Sequence, residues 1–124
     1  MEFALIAPVL FLLAFGIIEF GRMVMVQQVL TNASREGARM AILDGATTSE
    51  VYTAVDTYLD SAAVSSSGAT RTVSPALPTS DDYVGAITVT VSVPFDQVSW
   101  LPSPLFLGGK TLTATSVMRR ENTQ

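Results

Sequence analysis

The chain has 124 residues, which is enough for one domain with or without an appended segment. It is 48% hydrophobic and only 15% charged, and its formal net charge of −4 is opposite in sign to a surface that binds nucleic acid. Cysteine and histidine are absent, which excludes disulfides and thiol nucleophiles and removes the usual zinc ligands and the commonest general base. We therefore expect no catalytic residue, no cofactor, no metal and no nucleic-acid partner, and we expect the protein not to be an enzyme.

The first 44 residues predict one long helix, with Asp44-Gly45 as its C-terminal stop. Residues 3–18 carry no formal charge. This run is about 24 Å long, and the helix reaches the roughly 20 residues of a membrane span if it continues through Val26. A buried core helix is one alternative, but the rest of the chain offers too little surface to bury a helix that is apolar on all sides. A secretory signal peptide is another, but a basic start and a small-residue cleavage site are missing. A membrane or assembly helix fits best.

Several positions of this helix are candidates for contacts between helices. Gly16 and Gly21 are small enough to let a second helix approach closely. Pro8 removes one backbone hydrogen bond, which apolar surroundings tolerate when neighbours compensate. Glu19 and Arg22 are three residues apart and are predicted to pair either within one helix or between two subunits.

The second half of the helix, residues 23–44, is amphipathic. Apolar or small residues recur there at three or four positions and share one face, on which we expect the rest of the chain to pack: Met23, Val26, Leu30, Ala33, Gly37 and Met40. The predicted division is an apolar membrane or filament-core helix over residues 1–22 and an α+β head over residues 23–124. The head includes the amphipathic half of the helix.

A shorter helix is predicted next, over residues 48–63. Thr47 and Glu50 are spaced as a capping box at its start. Residues 65–68 are predicted as a loop. The connector over residues 75–82 contains Asp81-Asp82, but two adjacent acids without further oxygen ligands do not predict a cation site.

Three strands complete the predicted head, over residues 69–74, 86–93 and 110–119. In the middle strand, valine and isoleucine alternate with threonine and serine, so one face is expected to lie on the core. The last two strands are expected to pair antiparallel across a long apolar loop, residues 95–109, which either covers the sheet or contacts another subunit. The predicted fold class is α+β: a long N-terminal apolar α-helix and a small head of one further helix and a three-stranded antiparallel sheet.

The charges around the apolar run are distributed unusually. Arg22, Arg35 and Arg39 follow the run, and no basic residue precedes it. The positive-inside rule alone places the head in the cytoplasm; alternatively, a basic leader preceded Met1 and has been removed. Glu2 is a carboxylate at the edge of an apolar segment and needs a partner. We expect it to neutralise a terminal amine of the same or a neighbouring chain; the alternative is a solvated terminal residue at the level of the lipid headgroups.

Three segments of the long helix are recognisable together. They are the opening Glu2-Phe3-Ala4-Leu5 with Pro8, the segment Phe15-Gly16-Ile17-Ile18-Glu19-Phe20-Gly21-Arg22, and the segment Ala33-Ser34-Arg35-Glu36-Gly37-Ala38-Arg39. In combination they resemble the TadE-like family, the pilin-like proteins of the tight-adherence (Flp) branch of type IV pili. Beyond Gly45 only the general order of helix and strands is similar.

The resemblance implies a type IV pilin-like fold and a structural role. A prepilin peptidase would remove a basic leader, and the subunit would be held in the bacterial inner membrane by its N-terminal helix. An assembly ATPase and an inner-membrane platform would then extract it, with other pilin-like subunits, into an extracellular helical filament that supports adhesion. The candidates for assembly are Glu2, Phe3, Pro8, Gly16, Glu19, Gly21 and Arg22.

A second interpretation of the same resemblance is a membrane-anchored minor pseudopilin or an assembly-platform protein of a Tad secretion system. The main pilin of the tight-adherence branch is usually much shorter and lacks such a head, which favours this alternative. The resemblance leaves both open.

Overall fold

The structure, a computed structural model, describes residues 2–43, 45–74, 85–98 and 109–120. The predicted connector over residues 75–82, with Asp81-Asp82, and most of the predicted loop over residues 95–109 lie outside the described residues.

The first helix, α1, runs from Glu2 to Ala41, which is 40 residues or about 60 Å. Pro8 lies inside the helix and does not end it. The helix ends before the predicted stop at Asp44, because its last turn tightens: the Leu43 amide donates to the Met40 carbonyl at 3.2 Å. Gly45 follows with φ of +74°, a left-handed conformation that glycine adopts without strain.

The second helix, α2, runs from Thr48 to Ser61. The predicted capping box is confirmed: Thr47 Oγ1 accepts from the Glu50 amide at 3.2 Å, and Glu50 Oε2 accepts from the Thr47 amide at 3.1 Å. The helix ends two residues before the predicted residue 63, since Ala63 has a positive φ of 61°. A short 3₁₀ helix, Ser66–Gly68, lies within the predicted loop.

The three predicted strands are confirmed as one antiparallel sheet. Its strands are β1 (Thr70–Ser74), β2 (Gly85–Pro94) and β3 (Thr111–Arg120), in the order β1-β2-β3. The middle strand alternates as its sequence predicts, with four side chains wholly buried on one face: Ile87, Val89, Val91 and Val93. The other face carries hydroxyl side chains; for example, Thr90 and Thr115 are hydrogen-bonded at 3.2 Å.

The core lies where α2 and the second half of α1 pack on one face of the sheet. Leu30 of α1, Val55 and Leu59 of α2, and Phe95 after β2 are all fully buried. The predicted α+β class is therefore confirmed: a long N-terminal apolar helix, one further helix and a three-stranded antiparallel sheet. This arrangement leaves the N-terminal part of α1 projecting beyond the core.

Candidate assembly surface on the N-terminal helix

The projecting part of α1 exposes apolar side chains around its circumference. Phe3 is 79% exposed, Leu5 77%, Phe11 63% and Ile17 73%. Water-exposed apolar area of this extent is unusual in a soluble monomer and marks a membrane or protein contact. Among the described residues, α1 is the one helix that is long and apolar enough to cross a membrane.

One side of the helix forms a shallow concave surface, which we call the apolar stripe. Its residues recur at helical spacing along one face: Val9, Leu12, Leu13, Gly16, Ile17, Phe20, Gly21 and Val24. A Cβ atom added at Gly21 would meet no atom within 4 Å. The absent side chain therefore leaves room for a second molecule at Gly21.

The side of α1 that faces the head carries two buried charged residues. Glu19 is 1% exposed and Arg22 is 6% exposed. Arg22 Nε donates a hydrogen bond of 2.7 Å to the carbonyl oxygen of Val98, just beyond β2. A charge-assisted bond of this kind fixes the end of the head against the helix. The predicted pairing of Glu19 with Arg22, within a helix or between subunits, stays a prediction.

The other predicted assembly residues lie at different depths. Glu2, Phe3 and Pro8 are exposed in the first turns of α1. Gly16 and Gly21 both line the apolar stripe, where Gly21 is exposed and Gly16 is buried. The α1 residues that were predicted to carry the head lie against the core: Val26, Leu30 and Ala33 are fully buried, Gly37 is buried, and Met23 and Met40 are partly buried.

Two polar links between α1 and β3 were not predicted. Ser34 is fully buried, and its Oγ lies 2.8 Å from Ser116 Oγ. Gln27 Nε2 donates to the Thr113 carbonyl at 2.8 Å. Ser34 was detectable in principle, because it occupies the apolar face of the helix four residues after Leu30. The bond from Gln27 to the Thr113 carbonyl was not detectable, and neither was the bond from Arg22 to the Val98 carbonyl. Each depends on which backbone carbonyl the fold brings within reach of the side chain.

The described residues offer apolar packing surfaces on α1. Within residues 2–43, 45–74, 85–98 and 109–120, no group of three or more acidic side chains could hold a metal ion. The exposed apolar side chains of α1 can be buried against another apolar surface.

A helix that is apolar and exposed at its start, with an α+β head on its second half, is the layout of a pilin-like protein. A family model described as TadE-like protein matches residues 1–39. The predicted resemblance is thereby confirmed over most of α1, and together with the apolar helix it fits a pilin-like protein of a Tad system. No curated protein matches the chain, and no solved structure matches it.

Proposed function

We propose that the chain is a structural subunit, without enzymatic activity, that assembles through α1 into an extracellular Tad/Flp-like pilus. Before assembly, the first part of α1 holds it in the bacterial inner membrane, and the finished filament supports attachment to surfaces. The observation that carries this proposal is the apolar surface of α1 that the chain's own head leaves exposed, on a segment similar to the TadE-like family.

The exposed apolar surface of α1 explains how the same helix can lie in the membrane before assembly and in the filament afterwards. Burying one large aliphatic or aromatic side chain is worth about 1.5–3 kcal/mol, so a helix with many exposed ones is unstable in water. Lipid tails and the apolar side chains of neighbouring helices satisfy the same surface. Moving from lipid to a filament core gains little hydrophobic free energy, and the assembly ATPase would supply the work of extraction.

Close packing between copies then selects the filament over dispersed subunits. The apolar stripe, with Gly21 open to a second molecule, is a suitable contact for a helix of the next copy. A contact between different surfaces of successive copies does not close on itself, so repetition gives a helical filament. Glu2, exposed in the first turn, would pair with a terminal amine of a neighbouring subunit.

Filling the apolar stripe tests this proposal. Gly21→Leu adds a side chain where the concave surface is open, and we expect filament formation to fall severalfold while the chain still inserts into the membrane. Ala4→Leu is the matched control, because Ala4 is exposed on the same helix, does not line the stripe and lies on the opposite face. Equal filament yields from Gly21→Leu and the unaltered chain, measured on sheared cell-surface material, would contradict the proposed contact.

The second candidate function is that of a minor pseudopilin or an assembly-platform protein that remains in the membrane. The observation that favours it is the presence of a folded head of α2 and a three-stranded sheet, which the main pilin of this branch usually lacks. Such a protein would use the same anchor but would be rare in filaments or absent from them.

A further inference from the structure

Exposed apolar side chains extend further along the axis of α1 on the side away from the head than on the side that faces the head. Away from the head, exposed apolar side chains continue to Val24 and Met25, which are 62% and 47% exposed. Met25 lies about 33 Å from Phe3 along the helix, at 1.5 Å per residue, which matches a hydrocarbon core of about 30 Å. On the side that faces the head, the chain already covers α1 at Glu19, six residues before Met25, as the 1% exposure of Glu19 shows.

If the apolar surface lies in a bilayer, Glu19 must therefore lie within the bilayer as well. Glu19 lies about 24 Å from Phe3, inside the hydrocarbon layer, if Phe3 is at the opposite boundary. A charge facing lipid at that depth is costly. The chain's own cover over Glu19 and Arg22 removes the lipid contact. Raising the head clear of the bilayer would instead expose Phe20, Val24 and Met25 to water or headgroups.

The contacts along α1 identify which end of the head lies at the boundary. Gln27 contacts the Thr113 carbonyl and Ser34 contacts Ser116, each at 2.8 Å. Gln27 and Ser34 are seven residues apart on the helix, and Thr113 and Ser116 are three residues apart on the strand; each separation spans about 10 Å. Strand β3 therefore runs alongside α1 in the same direction, away from the N-terminus of the helix. Thr111, at the start of β3, is then the strand's end nearest the apolar segment.

The turn that follows β2 lies at the same level. Arg22, about 28 Å from Phe3, binds the Val98 carbonyl at 2.7 Å. The Phe95 amide donates to the carbonyl of Lys110 at 2.8 Å, which brings Lys110 to this end of the head. Lys110 is exposed, and a long cationic side chain at an interface extends its ammonium group to lipid phosphates.

We propose that, in the membrane-held state, the end of the head formed by Phe95–Val98 and Lys110–Thr111 lies at the boundary between the hydrocarbon core and the phosphate headgroup layer of the bilayer. Lys110 contacts the lipid phosphate there. The membrane is then a binding partner of the head as well as of the helix, and extraction must break this contact. The inference rests on the membrane storage in the proposed function.

Depth-resolved quenching tests this placement in the full chain, reconstituted in vesicles of phosphatidylethanolamine and phosphatidylglycerol. The natural sequence has no cysteine, so Thr111→Cys, Val117→Cys and Leu12→Cys each give one site for a fluorophore. Thr111 and Val117 are exposed on the same face of β3, with Val117 about 20 Å further from the membrane. Leu12 is the reference for the hydrocarbon layer.

We expect a nitroxide on the lipid headgroup to quench the fluorophore at Thr111→Cys severalfold more than the one at Val117→Cys. Lys110→Glu should reduce the quenching at Thr111→Cys, whereas Arg119→Glu, at the other end of β3, should not. Weak and equal quenching at Thr111→Cys and Val117→Cys, with strong acyl-chain quenching at Leu12→Cys, would overturn this inference and leave the membrane anchor intact. Absence of acyl-chain quenching at Leu12→Cys would overturn the anchor and the inference together.

Discussion

Gly37 lies at a close junction between α1 and the head. A Cβ atom there would lie 2.7 Å from Val55 Cγ2 and 3.1 Å from Val89 Cγ1. Both valines are fully buried, and β-branched side chains have few rotamers with which to withdraw. Overpacking of this kind costs about 1–3 kcal/mol, whereas replacing a helical glycine with alanine gains about 1 kcal/mol. We therefore expect Gly37→Ala to destabilise the head by about 1 kcal/mol, which lowers the Tm of a domain of this size by about 4–8 °C.

Thermal unfolding of the full chain in detergent, followed by circular dichroism, measures this difference. Gly21→Ala is the matched control, because it makes the same change in the same helix with no atom within 4 Å of the new Cβ; we expect its Tm to be unchanged or raised. Val55→Ala removes the methyl group that clashes, so Gly37→Ala should cost less in that background. A clash at Gly37 is excluded if Gly37→Ala is as stable as Gly21→Ala, or if Val55→Ala does not reduce the cost of Gly37→Ala.

Three further predictions concern α2, its ion pair and the start of α1. Thr47→Ala removes the cap of α2 and should cost about 1 kcal/mol in denaturant unfolding, while serine at this position should retain most of the stability. The Arg71 guanidinium lies 3.3 Å from the Asp56 carboxylate and 4.8 Å from the centre of the Tyr52 ring. Arg71→Lys keeps the charge but loses the planar stacking on the ring, so we expect the free energy of unfolding to fall by about 0.5–1 kcal/mol. The same Tm as the unaltered chain would contradict this role. Glu2→Gln should lower incorporation into filaments without affecting membrane insertion, and normal incorporation, measured by immunoblotting of sheared filaments, would exclude a role for the carboxylate.

The sequence was sufficient to predict the elements of the fold, because each element has a strong local signal. The alternation in β2 predicted its buried face, and the spacing of Thr47 and Glu50 predicted the start of α2. The ends of the helices were less predictable. They depend on single backbone conformations, such as the positive φ of Ala63, for which alanine gives no signal.

The candidate surface was only partly predictable. The small side chains of Gly16 and Gly21 predicted positions for close approach, which stays a prediction, and the apolar run predicted the segment of α1 that is exposed. The height at which the head begins to cover α1 was not predictable, because the bond from Arg22 to the Val98 carbonyl joins residues far apart in the chain. The division between residues 1–22 and residues 23–124 stays a prediction.

In the proposed function, copies of this chain build the filament. The most direct measurement is quantitative mass spectrometry of sheared surface filaments and of the membrane fraction, from a bacterium that produces the chain with an intact Tad system. We expect the chain to be a principal component of the sheared filaments. Strict retention in the membrane fraction, or only trace amounts in the filaments, would contradict it and would support the minor pseudopilin or assembly-platform function.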